Sequence, residues 1–326
     1  MHIDICVYLC ASAVSVHLWR DAMRFGLSLP HFRQVASPEM IRRVAQRAEH
    51  LGYDGIWVSD HIVIPDSAVD RFGSVFYEPL TVLGFVAACT AKVRLGTTVL
   101  ILPYRNPVVT AKVLATLDVL SGGRVTAGMA VGWTEDEFKA LGVPFQERGA
   151  LSDEYIAAFK VLWTQDKPAF QGHYVRFEHI AFEPKPVQKP HIPIWIGGNS
   201  KRAIRRAVAL GDCWHPTRPL VEDVKAGVAY LHEVCAQRGR DPHALMVAVR
   251  QPLKFYNGAE ALVRRRPLLG STPKIIDDIG HYRDAGVHYM MLDTFYSVPE
   301  LEHETVEGMF ETIERFAADV MPKVQS

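Results

Sequence analysis

Gly55-Ile56-Trp57-Val58-Ser59-Asp60-His61 is the stretch on which the reading of the fold turns. It is a short apolar run that stops abruptly at an acid and an imidazole. In a (β/α)8 barrel the strand interiors fill the core, and the residues at the strand ends carry the chemistry. A plain strand with a polar end and a hydrogen-bonded histidine would look the same. What separates the two readings is the company this stretch keeps.

Upstream, Phe25-Gly26-Leu27-Ser28-Leu29 is a first strand. Ser37-Pro38 then supplies a helix cap followed by an N1 proline. Ile41, Val44, Ala45, Ala48 and Leu51 follow at helical spacing, and Gly52 stops that helix. Downstream the alternation continues. Strands are expected at 93–99, 124–131, 192–196, 212–214, 246–249 and 288–292. Helices are expected at 108–120, 200–210, 221–238, 273–285 and about 302–320.

Eight strand-like runs, mostly separated by helical patterns, predict an α/β fold of the (β/α)8 TIM-barrel class. A doubly wound open sheet would carry a glycine-rich nucleotide loop after the first strand, and Gly26-Leu27-Ser28-Leu29-Pro30 is not one. Pro30 also spoils that segment as a hydrolase elbow. Two insertions, 66–76 and 168–193, are expected among the loops after the barrel strands or in place of barrel helices. The first reads as a lid over the C-terminal mouth, the second as part of a hairpin.

Composition sets further bounds. Hydrophobic residues make up 48% of the 326, enough for a large core, and 36 basic residues balance 36 acidic ones. That leaves no basic surface for nucleic acid or anionic lipid. Five scattered cysteines without C-x-x-C spacing suggest neither a disulfide framework nor a zinc ribbon, so a reducing cytoplasm is expected. No H-x-H or H-E-x-x-H pattern occurs among the 14 histidines, so no metal site is expected and a barrel amidohydrolase is disfavoured. Residues 1–22 read as an extension outside the fold, and 23–326 as the barrel domain. The apolar run at 5–16 lacks the basic start of a signal peptide and is too short to span a bilayer.

Three further stretches carry site signals. Arg94-Leu95-Gly96-Thr97-Thr98-Val99 places a glycine inside a strand, which marks either a bulge or the close approach of a flat ring. Gly128-Met129-Ala130-Val131-Gly132-Trp133 ends a strand with small residues and then an indole, read as a pocket wall. Ile196-Gly197-Gly198-Asn199-Ser200 opens a helix with glycines, either as a tight capped turn or as an anion site.

Together with Gly122-Gly123-Arg124-Val125 and Gly211-Asp212-Cys213-Trp214, these stretches resemble the bacterial luciferase-like superfamily, and more narrowly its coenzyme F420-dependent oxidoreductases. The resemblance runs from Arg24 to about Val320. It implies a flavin-type ring across the barrel mouth, backed by a non-prolyl cis peptide at Thr98–Val99. It puts Asp60 and His61 beside the reactive edge, with His61 as proton donor or acceptor and Asp60 orienting it or touching the cofactor. It assigns Thr97, Thr98, Val99, Gly132, Trp133, Gly197, Gly198, Asn199 and Ser200 to cofactor binding, with phosphate on the Gly197–Ser200 turn. Trp133, His215, Phe255 and Tyr296 are expected to form a largely apolar substrate pocket. Relatives that oxidise a sugar phosphate carry an acid where this chain has Trp133, which argues against that substrate.

The expected reaction is hydride transfer between F420 and a small, apolar organic substrate. The alternatives are an FMN-dependent monooxygenase served by a separate flavin reductase, and an inactive ligand-binding barrel. A homodimer is compatible with all three.

Overall fold

Alternation of short buried runs with amphipathic ones closes the chain into a ring. The structure is a computed structural model that describes residues 22–256, 266–295, 298–301 and 303–325. In chain order the elements are β1 (Arg24–Ser28), α1 (Pro38–His50), β2 (Gly55–Val58), α2 (Asp66–Phe72), α3 (Pro79–Cys89), β3 (Arg94–Thr97), β4 (Leu100–Ile101), α4 (Pro107–Leu120) and β5 (Val125–Ala130). Next come α5 (Glu135–Ala140), α6 (Arg148–Thr164), β6 (Phe170–Gln171), β7 (Arg176–Phe177), β8 (Ile194–Gly197), α7 (Lys201–Leu210), β9 (Cys213–His215) and α8 (Val221–Arg238). The chain finishes with β10 (Met246–Pro252), β11 (Lys254–Phe255), β12 (Leu269–Gly270), α9 (Thr272–Asp284), β13 (Tyr289–Asp293), α10 (Val306–Asp319) and α11 (Met321–Val324).

The strands β1, β2, β3, β5, β8, β9, β10 and β13 pair in parallel, each with the next, and β13 returns to β1. This is the expected (β/α)8 barrel. The third strand is interrupted after Thr97 by a cis Thr98–Val99 peptide and resumes as β4 against β5. The helix over 38–50 forms as predicted, with Ser37 Oγ accepting from Met40 N and with Met40, Ile41, Val44, Ala45 and Ala48 buried.

Between strands and helices lies the main core, and the barrel axis holds a second one built from Trp57, Trp195, Cys213, Met246, Ala248, Tyr289 and Met291. Trp57 and Trp195 stack at 4.5 Å between ring centroids, and Trp57 Nε1 donates to the Tyr289 hydroxyl at 2.9 Å. Gly96 is explained here. A Cβ on it would stand 2.1 Å from Trp57 Cε3, so the flat ring it admits is the core indole, and no bulge is involved.

The two insertions end up at opposite poles. Segment 66–76 contains α2 and reaches the mouth, where the Phe72 ring lies 4.6 Å from that of His61. Segment 168–193 does contain an antiparallel pair, β6 with β7, but it joins α6 to β8 and therefore sits where strands begin. There Gln188 Nε2 donates to Asp118 Oδ1 and to the Val125 carbonyl, both at 2.7 Å. The last helix starts at Val306, later than expected, capped by Thr305. Among the described residues no helix is long and apolar enough to cross a membrane.

Candidate active site

At the mouth, a cavity of about 370 Å³ is lined by residues from six βα connections. They include Ser59, Asp60 and His61 after β2, Thr98 and Val99 after β3, Gly132 and Trp133 after β5, and Gly197 and Gly198 at β8. Arg71 and Phe72 of α2 form one wall, while Arg218, Arg250 and Asp293 form another. That volume suits a small-molecule site.

The floor is held from beneath. Thr98 N donates to the Val58 carbonyl at 2.7 Å, and Arg250 Nη1 donates to the Thr98 carbonyl at 3.0 Å. His215 is fully buried and sits under this floor, so it supports the site and does not line it. Its Nδ1 faces the Ala248 carbonyl at 2.9 Å, which can only accept, so that nitrogen carries the proton. Nε2 then accepts from the Thr98 hydroxyl at 3.0 Å. Burial lowers the His215 pKa to about 4, which keeps the ring neutral.

His61 is the expected imidazole, but Asp60 does not orient it. Asp60 is gripped by a two-pronged Arg105 guanidinium at 2.6 and 2.9 Å and by Ile101 N at 2.9 Å. Arg105 Nη2 also reaches Glu78 Oε1 at 2.8 Å. These donors turn the carboxylate toward the start of α4 and away from the histidine. The orienting acid is Glu137 on α5, whose Oε2 lies 2.8 Å from His61 Nδ1. Tyr104 donates its hydroxyl to the same oxygen at 2.8 Å, and Ile62 N and Val63 N donate to Oε1 at 2.6 and 3.2 Å. Burial works against charge on this carboxylate, but His61 and the other donors outweigh it and hold the pKa below the ordinary value. Nδ1 is thus committed, and Nε2 is the nitrogen left for work in the cavity.

Other expected residues are distributed unevenly. Thr98, Val99, Gly132, Trp133, Gly197 and Gly198 do line the cavity. Thr97 does not, because it is buried and donates its hydroxyl to the Gly128 carbonyl at 2.7 Å. Ser200 caps α7 by accepting from Ala203 N at 3.2 Å, and Asn199 is tied to Thr217 by a pair of 2.9 Å bonds. Gly198 N is already donated to the His215 carbonyl at 3.2 Å, which removes it from any anion site in this turn. Phe255 packs under the Arg315 guanidinium at 4.3 Å, on the side of α10, and is no part of the pocket. Short β11 sends the chain outward at that point. Tyr296 lies outside the described residues, as do residues 1–21. Among the described residues, no group of three or more His, Cys, Asp or Glu side chains could hold a metal ion.

Two glycines let the strand ends at the mouth pack closely: a Cβ on Gly197 would meet Val99 Cγ1 at 2.7 Å, and one on Gly132 would meet Ile101 Cγ2 at 2.8 Å. Gly132 also has φ +81°, a conformation that favours glycine.

Comparison with known proteins places this site in context. An uncharacterized protein of Mycobacterium tuberculosis is 32% identical over 277 residues, covering 80% of this chain and 96% of that one. An FMNH2-dependent dimethylsulfone monooxygenase of Pseudomonas putida is 33% identical over 211 residues, 64% of this chain and 56% of its own length. Among solved structures, monooxygenase RslO1 of Streptomyces bottropensis superposes with a TM-score of 0.78 at 20% identity, over 92% of this chain and 99% of that one. An F420-dependent secondary alcohol dehydrogenase holding an F420-acetone adduct gives 0.77 at 19% identity, over 94% and 100%. At such identities the structures show a shared fold. The family described as luciferase-like monooxygenase matches residues 23–295. With that match across most of the barrel, the chain belongs to the luciferase-like monooxygenase family.

Proposed function

We propose that the mouth seats the tricyclic ring of a redox coenzyme on Thr98 and Val99, with His61 handling the proton of the reaction. The observation that carries this reading is the His61–Glu137 pair at the edge of a cavity floored by Thr98 and Val99. A bound deazaflavin or flavin supplies the hydride chemistry. The chain supplies position and a proton route. Glu137 fixes the His61 ring through Nδ1, so Nε2 can give a proton to an oxygen of the substrate or take one from it. Arg250 and His215 keep the floor rigid from below. Phe72 and Trp133 shield the opening from water.

The first reading for the cofactor is coenzyme F420, with hydride passing between it and a small organic substrate. The second is FMN in a monooxygenase, favoured by the 33% identity to the dimethylsulfone enzyme. In both, the cofactor phosphate is assigned to the turn after β8. With Gly198 N engaged, the donors there are the N–H groups of Asn199 and Ser200 together with the Lys201 side chain, at a cleft of about 430 Å³ bounded by Trp214 and Tyr230.

Titration of the purified protein with F420 and with FMN tests the assignment, followed by the same titration with His61→Ala. The variant should bind cofactor about as well as the wild type and turn over roughly 10²–10⁴-fold more slowly. Tight FMN binding without F420 binding moves the assignment to the monooxygenase. Binding of neither removes the ring site altogether.

A further inference from the structure

Two carboxylates flank His61 at the mouth, Asp60 beside it in the chain and Glu137 on α5, and both side chains are wholly buried. One short turn, residues 101–105 between β4 and α4, supplies donors to each. Ile101 N and the two-pronged Arg105 guanidinium hold Asp60. The Tyr104 hydroxyl holds Glu137 Oε2, the oxygen that faces His61 Nδ1. Asp60 thus accepts at both of its oxygens, and neither is bonded to His61.

The turn is itself fixed. Tyr104 packs edge-on against the Phe138 ring at 5.0 Å. Arg105 Nη2 also reaches Glu78 Oε1 at 2.8 Å, and Glu78 Oε2 caps α3 by accepting from Thr81 N at 2.7 Å. The guanidinium therefore spans one dry carboxylate and one whose side chain is 38% exposed, which anchors its outer edge. A carboxylate without water around it keeps its charge only while donors hold it. For Asp60, burial is the largest influence and pushes the pKa above its ordinary value, Arg105 and Ile101 N pull it back, and Glu78 adds to the upward push. His61 stands next to it, and the cavity's other charged side chains, Arg71, Arg218, Arg250 and Asp293, line the remaining walls. With the guanidinium gone, one backbone donor would be left for two oxygens, and the carboxyl would take up a proton.

We propose that Arg105 is a positioning residue that keeps Asp60 ionised, turned toward α4 and out of the proton chemistry, so that Glu137 alone directs the His61 imidazole. This deepens the reading of the ring site and rests on it for the work done by His61. A bidentate guanidinium suits the task because its fork matches both carboxylate oxygens at once.

The test is a pH titration of the full-length protein without cofactor, followed by carbon-13 NMR of the Asp60 carboxyl and nitrogen-15 NMR of the His61 ring. In Arg105→Leu the Asp60 step should move up by about 1–3 pH units, the span by which a neighbouring guanidinium lowers a carboxyl. The His61 signals should gain an inflection at the same pH. Arg105→Lys, which restores the charge, should bring the Asp60 step at least halfway back. Combining Arg105→Leu with Asp60→Asn removes both partners, so no lone buried charge is left to unfold the chain, and the added inflection should vanish. If Arg105→Leu alone does not fold, Arg105→Gln replaces it, with a smaller upward move expected. An Asp60 step that stays put, His61 signals that do not follow it, a lysine that rescues nothing, or an inflection that persists in the double variant would each overturn the proposal. Cofactor titrations keep the two readings apart. If neither F420 nor FMN binds while Asp60 answers to Arg105, the role of Arg105 toward Asp60 stands and the ring site falls; if a cofactor binds and Asp60 does not respond, the reverse holds.

Discussion

Replacing Glu137 by glutamine keeps the shape of the side chain and removes its charge and its ability to accept at both oxygens. The carboxylate side chain is fully buried and accepts four hydrogen bonds, from His61, Tyr104, Ile62 N and Val63 N. The two backbone donors cannot reverse, so the amide oxygen of Glu137→Gln must face them. Its NH2 group is then aimed at His61 Nδ1 and the Tyr104 hydroxyl. His61 can accept only by moving its proton to Nε2, the tautomer opposite to the one Glu137 enforces. Bonds to an ionised acceptor are worth about 1.5–3 kcal/mol against about 1 for neutral ones, so converting the backbone pair costs roughly 1–3 kcal/mol. For a barrel this large that is a loss of several degrees in Tm. The proton-accepting step suffers more, because Nε2 has become a donor, and turnover should fall by about 10²–10⁴-fold with cofactor affinity retained. Nitrogen-15 NMR of the His61 ring reports the tautomer directly, alongside melting curves and cofactor titrations. A variant with the wild-type tautomer, pH profile and turnover would refute the claim that Glu137 sets the state of His61.

Three further outcomes are expected. Gly198→Val, which places a Cβ 3.0 Å from that of Ala203 at a φ of +128°, should cost cofactor affinity severely and Tm modestly; unchanged affinity in titration would move the phosphate elsewhere. His215, buried with its pKa lowered from 6.5 to about 4, stays neutral when folded and charges when unfolded, so its share of stability is full above pH 6.5 and falls as pH drops toward 4. Denaturant melts across that window should show up to about 3 kcal/mol lost to this histidine, and His215→Asn should remove that pH-dependent loss. A chain beginning at Met23, where the family match begins, should keep the Tm and cofactor affinity of the full chain; a clear loss of either contradicts this.

The barrel is written locally, which is why it could be read from the sequence. Each strand is a short buried run, and most helices announce themselves by a cap and a one-sided apolar stripe, as Ser37 and Ile41 to Ala48 do for α1. α3 gives less warning because Leu80, Val82, Leu83 and Val86 are buried while Phe85 remains 39% exposed, so its apolar residues run all round. The site was legible where a residue ends a strand, as with His61, Thr98 and Gly197. It was illegible where a partner comes from far along the chain. Glu137 lies 76 residues from His61, inside Thr134-Glu135-Asp136-Glu137-Phe138, which reads as an acidic first turn facing water. Arg105 lies 45 residues from Asp60, and no local pattern links a lone arginine to a particular carboxylate. Phe255 failed for another reason: its place after β10 was correct, but β11 carries it over toward α10.

Among the described residues, Trp133 stands apart from the other indoles in a way that makes it an optical gauge of the cavity. It is 57% exposed at the mouth, whereas Trp57, Trp163, Trp195 and Trp214 are at most 2% exposed. Emission from those four comes from buried surroundings and lies at shorter wavelength. The long-wavelength part of the spectrum contributed by the described tryptophans therefore belongs to one residue in the cavity wall. Anything that fills the mouth displaces water from that ring and shifts or quenches its light, so occupancy can be followed without a label and before any substrate is known.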